Sequence, residues 1–222
     1  MTDLPPPPPW SPPPSGGGGP GAPDVSAAIS YGWSKFQQNV GPLLGVILIQ
    51  VAVQIALYLF GRVVVNNLLG SILFQILGFI VSAAVGIGIY QVALMITAGQ
   101  PADVARAFQY DRWGEWIVFS VVYGLMVGVG LALCVVPGLF VLAFFGLAPF
   151  YFIDGRMSLG EALSASRTVV QSKGLAFPIL LSIVVGVLGV IACVVGLLVT
   201  LPVAYIAVAY LYRFATEQPV AA

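Results

Sequence analysis

The stretch LLGVILIQVAVQIALYLFG, Leu43 to Gly61, runs for nineteen residues without a charged side chain. A bilayer's hydrocarbon core is about 30 Å thick and takes roughly 20 apolar residues to cross as a helix, so this stretch predicts a transmembrane span. Gly41-Pro42 opens it, with proline where a helix start tolerates a missing N–H. Beyond Arg62 and the Asn66-Asn67 turn, Leu68 to Ala98 is a second apolar run, too long for one upright span and predicted to tilt or protrude.

Four more runs follow. Trp116 to Val136 is the third, Pro137-Gly138 a turn, and Leu139 to Ile153 a short fourth interrupted by Pro149. Leu175 to Ala192 is the fifth, and Leu197 to Tyr212 the sixth, with Gly196 near the turn. Pro202 lies inside the sixth, where membrane helices tolerate proline better than soluble ones do. The expected fold class is therefore all-α and polytopic, with six transmembrane helices.

Composition agrees. The chain is 59% hydrophobic and 7% charged, against roughly 25% charged residues in a soluble domain, leaving too little charge to cover a water-facing surface. Eight Lys and Arg balance eight Asp and Glu, which gives no basic excess for nucleic acid. Histidine is absent, and two cysteines make no zinc site or disulfide framework. No metal, cofactor or enzymatic activity is expected.

The few charges act by position. Under six spans Lys35, Arg106, Arg112, Arg156, Arg167, Lys173 and Arg213 flank one side and only Arg62 the other. Cytoplasmic loops carry the excess of Lys and Arg, which places both termini in the cytoplasm. Dropping or adding one span mixes the cations between sides. The abundance of Ala, Gly, Val and Pro with only two lysines suggests a high-GC bacterium, and hence a bacterial inner membrane.

Residues 1–23, MTDLPPPPPWSPPPSGGGGPGAP, form a low-complexity tail in which proline favours extended chain and glycine flexibility, so it is expected to be disordered. No cationic segment precedes an apolar one there, so no secretory signal is expected. In DVSAAISYGWSKFQQN, Val25, Ile29, Trp33 and Phe36 recur at helical spacing behind Asp24 as N-cap. They predict an interfacial helix with Trp33 at headgroup level; the alternative is an amphipathic helix docked on a partner.

The hairpins repeat. GLALCVVPGLFVLAFFGLAPFYF, Gly130 to Phe152, aligns without gaps to GVIACVVGLLVTLPVAYIAVAYL, Gly189 to Leu211, matching Cys134 with Cys193, Ala148 with Ala207 and Tyr151 with Tyr210. The segments before the hairpins also echo one another, DVSAAISYGW at Asp24 with DVARAFQYDR at Asp103, and SAAISYGWSKFQQ with GEALSASRTVVQS at Gly160. The pattern predicts three interfacial-helix-plus-hairpin units over 24–98, 103–153 and 158–213, parallel about an axis normal to the membrane, with a short tail at 215–222.

YFIDGRMSLGEALSASRTVVQSKG, Tyr151 to Gly174, and ACVVGLLVTLPVAYIAVAYLYRF, Ala192 to Phe214, carry a family likeness. The region from Asp24 to Phe214 resembles the membrane domain of some bacterial glycerophosphodiester phosphodiesterases and related six-helix bacterial membrane proteins of unknown activity. The resemblance implies the fold and no chemistry. The enzyme's metal site lies in a separate barrel built with histidine, and this sequence has none.

No Asp, Glu, Lys or Arg lies in the middle of any predicted span, which weakens an ion-coupled transport mechanism. Gln50 and Gln54 lie at i and i+4 with Tyr58 on the same face, and Gln75 and Gln91 add amides to the second span. These five either line a polar intramembrane site or bond helices together. Small residues at four-residue spacing, Gly78, Ser82 and Gly86, then Gly124, Gly128 and Ala132, predict close helix packing or a docking face. Cys134 and Cys193, near the extracytoplasmic ends of spans three and five, either form a disulfide or pack as small residues.

The functional expectation is a non-enzymatic scaffold or accessory subunit, its interfacial helices facing lipid and PPPPPWSPPP offering an extended ligand to a partner protein. The alternative is a transporter, channel or lipid-handling protein, suggested by the repeats and the Pro-interrupted spans.

Overall fold

The computed structural model describes residues 25–65, 67–133, 135–188 and 193–221. The proline-rich tail, Asp24 as a cap, and Cys134 with its candidate disulfide to Cys193 lie outside the described residues.

Every regular element among the described residues is helical. The elements are α1 (Val25–Gln38), α2 (Val40–Val64), α3 (Leu68–Thr97), α4 (Val104–Ala107), α5 (Trp113–Leu133), α6 (Val135–Phe145), α7 (Ala148–Ile153), α8 (Leu159–Ser172), α9 (Ala176–Leu188) and α10 (Cys193–Ala215). Among the described residues five helical stretches are long and apolar enough to cross a membrane: α2, α3, α5, the Val136–Ile153 stretch across α6 and α7, and α10 from Gly196. Among the described residues α9 has thirteen, too few alone. It joins α8 through a 109° bend, and only that pair taken together brings the number to six.

Local chemistry sets the breaks. Asn67 accepts from Gly70 N to start α3 at the hairpin turn. Gly146 and Leu147 separate α6 from α7, whose first turn holds Pro149, a residue with no N–H for a continuous helix. Ser158 and Glu161 form a reciprocal capping box on α8, and the bonds from Ser158 hold the Glu161 carboxyl below its usual range.

One expectation before the hairpins needs correction. The segment after Asp103 makes only one turn of helix, α4, before Tyr110 and Asp111 leave the helix and α5 begins at Trp113. In α1 the face that packs on the bundle lies beside the line of Val25, Ile29, Trp33 and Phe36 and shares only Phe36 with it. The buried residues are Ala28, Gly32, Lys35 and Phe36, while Trp33 is 48% exposed. Small residues decide this. A Cβ on Gly32 would sit 2.6 Å from the Val203 carbonyl oxygen, so α1 and α10 touch backbone to backbone.

Each successive long pair, α2 with α3, α5 with α6 and α9 with α10, packs along itself. α3 also packs on α5 and α10, and α6 on α9, which closes a ring of α3, α5, α6, α9 and α10. α1 covers α10 and α9, and α8 covers α6 and α7. The buried core runs through the inner half of α3, all of α7 and the second half of α10.

The outer halves of α2 and α3 project from this body. Leu48, Ile55, Leu59, Phe60, Val63, Leu68, Leu69, Ile72, Leu73 and Ile76 are all exposed. A continuous apolar surface of this extent is untenable in water and ordinary in lipid. At the opposite end of the bundle the charges meet. Arg156 pairs with Asp111, Lys173 with Glu217 at 3.0 Å, Arg213 bonds Thr97, and the Arg112 guanidinium lies 5.2 Å from the Phe152 ring.

Candidate functional site

The inner parts of α2, α3, α5 and α10 enclose a cavity of about 410 Å³. α2 contributes Gln50, α3 Ser82, Gly86 and Tyr90, α5 Trp116, Ser120 and Tyr123, and α10 Tyr205. Aliphatic side chains and Phe79 and Phe119 supply most of the remaining wall. Such a lining suits an apolar or amphipathic molecule held by a few oriented polar groups.

Two polar atoms in that wall are orphaned. Gln50 Oε1 and Ser120 Oγ are shielded and have no hydrogen-bond partner among the described residues. An unsatisfied buried group costs about 1–3 kcal/mol, so each orphan favours a ligand or water that bonds it. The serine is notable because other hydroxyls in these helices fold back onto carbonyls, as Ser82 does to Gly78 at 2.7 Å and Ser182 to Pro178 at 2.9 Å.

An aromatic floor fixes the shape. Tyr90 meets Tyr205 edge-on at 5.1 Å. Trp116 lies 5.7 Å from the Tyr90 ring and donates its indole N–H to the Ala83 carbonyl at 3.0 Å. Across Tyr90, Tyr123 and Tyr205 a second cavity of about 410 Å³ fills the centre of the helix ring, between Gly128, Leu142, Gly146, Ile183 and Gly186.

On its other side the first cavity adjoins, through Phe79 and Ser82, an open groove of about 830 Å³ between α2 and α3. Gln54 donates to Ser82 Oγ at 2.6 Å at that junction. The three spaces are neighbours that share wall residues, Phe79 and Ser82 between the groove and the first cavity and Tyr90, Tyr123 and Tyr205 between the first cavity and the second.

The five residues singled out from sequence do not form one site. Gln50 faces the inner cavity, and Gln54 makes the interhelical bond. Tyr58 and Gln75 line the outer groove, where the Arg62 guanidinium sits 5.9 Å from the Tyr58 ring. Gln91 lines a separate pocket at the charged end of the bundle. Sequence reasoning missed Ser120, Tyr123, Tyr90 and Tyr205; Ser120 and Tyr123 at i and i+3 in the third span are the signal that was there to find.

The small-residue rows also divide. A Cβ on Gly124 would strike Phe79 Cζ at 2.6 Å, a genuine packing contact. Gly86 and Gly128 have nothing within 4 Å of where a Cβ would stand, and they line the first and second cavities. Their missing side chains make room, not contact.

No family model, curated protein or solved structure matches the chain. What the site does is therefore argued from its own geometry.

Proposed function

We propose that this protein is a non-enzymatic, lipid-handling membrane protein that takes an uncharged or amphipathic, lipid-like molecule from the bilayer through the α2–α3 groove into the Gln50–Ser120 cavity. One observation carries the proposal: two orphaned polar oxygens face one cavity whose remaining wall is almost wholly apolar. A lipid-like guest satisfies both features, with a carbonyl or hydroxyl for the oxygens and water to bond and hydrocarbon for the wall. A passive scaffold has no use for such a space, and the docking role remains attached to the proline-rich tail. The likeness to the phosphodiesterase membrane domain stays a proposal about ancestry, with no activity attached. Comparison of the molecules that stay bound to the purified chain and to a cavity-filled variant tests the function.

The proposal includes six crossings as three hairpins in a bacterial inner membrane, with both termini in the cytoplasm. In support, the cations gather where α3, α7 and α10 end, and Arg62 stands alone at the far end. Single cysteines in a Cys134→Ala/Cys193→Ala background test this. In intact cells an impermeant maleimide is expected to label Val65→Cys but to reach Thr168→Cys and Pro219→Cys only after permeabilisation. Labelling of Pro219→Cys from outside would instead mean that α9 turns back and that five helices cross.

A further inference from the structure

A second polar space lies at the charged end, well away from the Gln50–Ser120 cavity. It measures about 420 Å³ and is lined by Arg106, Arg156, Arg213, Gln91, Gln109 and Tyr110, among others. Three arginines from three separate segments line it.

Two carboxylates, Asp111 and Asp154, line the same wall, so the three arginines exceed the acids there by one charge. Asp154 accepts from Tyr212 Oη at 2.9 Å and from Gln218 Nε2 at 3.2 Å. Asp111 accepts from Arg156, which holds its carboxyl below the usual range. Arg213 is only 8% exposed, yet its bonds go to neutral oxygens, Nε to Thr97 Oγ1 at 3.1 Å and Nη1 to the Pro219 carbonyl at 3.0 Å. Neither Arg213 nor Arg106 forms an ion pair among the described residues. Tyr110 Oη, shielded and without a hydrogen-bond partner among the described residues, belongs to the same wall.

A buried cation without a counter-ion is costly, and guanidinium forks favour anions that present several oxygens in a plane or tetrahedron. The pocket sits at the ends of α3, α7 and α10, next to Ala98, Ile153 and Arg213. That is where apolar helices leave hydrocarbon for headgroups. We infer that this pocket binds a phosphate-class anion, with Arg106, Arg156 and Arg213 as its charge partners and Tyr110 and the glutamines as further donors. The phosphate belongs either to a lipid headgroup or to a soluble ion, and the two sources are separable.

The full chain in phosphatidylcholine nanodiscs doped with phosphatidylglycerol, read by native mass spectrometry, is expected to retain one phosphatidylglycerol per chain. Arg106→Gln/Arg156→Gln removes two exposed partners, giving up with Arg156 only a solvent-exposed ion pair to Asp111, and is expected to weaken retention about tenfold, the equivalent of about 1.4 kcal/mol. Arg167→Gln, an exposed cation outside the pocket, is expected to leave it unchanged. If phosphatidylglycerol is not retained but inorganic phosphate raises the melting temperature of the wild type and not of the double variant, the site is for a soluble phosphate. If neither probe binds, or if Arg167→Gln weakens binding as much as the double variant, the inference is overturned.

Discussion

Replacing Gly32 with leucine is expected to undock α1 and to cost the protein on the order of 3 kcal/mol, the upper range for overpacking a tight contact. The reason is geometric. The added Cβ meets the Val203 carbonyl oxygen at 2.6 Å and Val203 Cγ1 at 3.3 Å, and a backbone oxygen in the middle of α10 has nowhere to go. Relief requires α1 to withdraw, which uncovers Ala28, Phe36 and Lys35 together. Two measurements report this. The melting temperature in detergent falls, and trypsin cuts after Lys35, a side chain only 7% exposed while α1 is docked. Gly41→Ala supplies the contrast, since nothing lies within 4 Å of its Cβ position. There the exchange is expected to be neutral or to stabilise by about 0.5–1 kcal/mol through helix propensity. Equal losses from both substitutions would mean that α1 does not rest on α10.

The second large effect falls on Trp116. Its indole is 2% exposed, packs against Tyr90, Phe119 and Phe152, and donates to the Ala83 carbonyl on α3. Trp116→Ala is expected to cost about 3–5 kcal/mol through lost contacts and the void left behind. In lipid the transfer term is small, because hydrocarbon outside is as apolar as the core, so the lower end of that range is the expectation. Trp116→Phe keeps most of the ring contacts and loses the hydrogen bond, for a cost of about 1 kcal/mol. Denaturation in mixed micelles, with folded fraction followed by circular dichroism, separates the two variants. An alanine variant as stable as the phenylalanine one would show that the aromatic floor is not rigid.

Much of the fold was legible because one physical rule dominates it: an apolar run of about 20 residues is long enough to cross a membrane as a helix. The starts and ends of α2 and α3 follow from that, as does the break ahead of Pro149. Length alone did not resolve α4, where a sequence like that of α1 stops after one turn. Nor did periodicity reveal how α1 packs. It weighs side chains by hydrophobicity, whereas the contact is made by Ala28 and Gly32, which contribute by being small.

The site was less legible, partly for a reason that sequence could have supplied. Gln75 and Gln91 lie sixteen residues apart on one helix, about 24 Å at 1.5 Å per residue, and no small cavity spans that distance. Gln50 and Gln54 do share a face, but only their register against Ser82 tells that one is orphaned and the other bonded. Such register is a tertiary property. So is the burial of Arg213, which in sequence is one more cytoplasmic cation after the last span.

The most direct measurement is the mass of the intact protein released from its native membrane, wild type beside Gly86→Leu. Gly86 lines the cavity with nothing within 4 Å of its Cβ position, so leucine fills the space without striking a neighbour at that atom. Besides any phosphate-bearing lipid at the arginine pocket, the wild type is expected to carry one tightly held apolar or amphipathic molecule per chain in the Gln50–Ser120 cavity. Gly86→Leu is expected to lose it while melting no lower than the wild type. A wild type that leaves the membrane without a bound molecule, or a Gly86→Leu variant that keeps the same one, would contradict the proposed lipid-like guest.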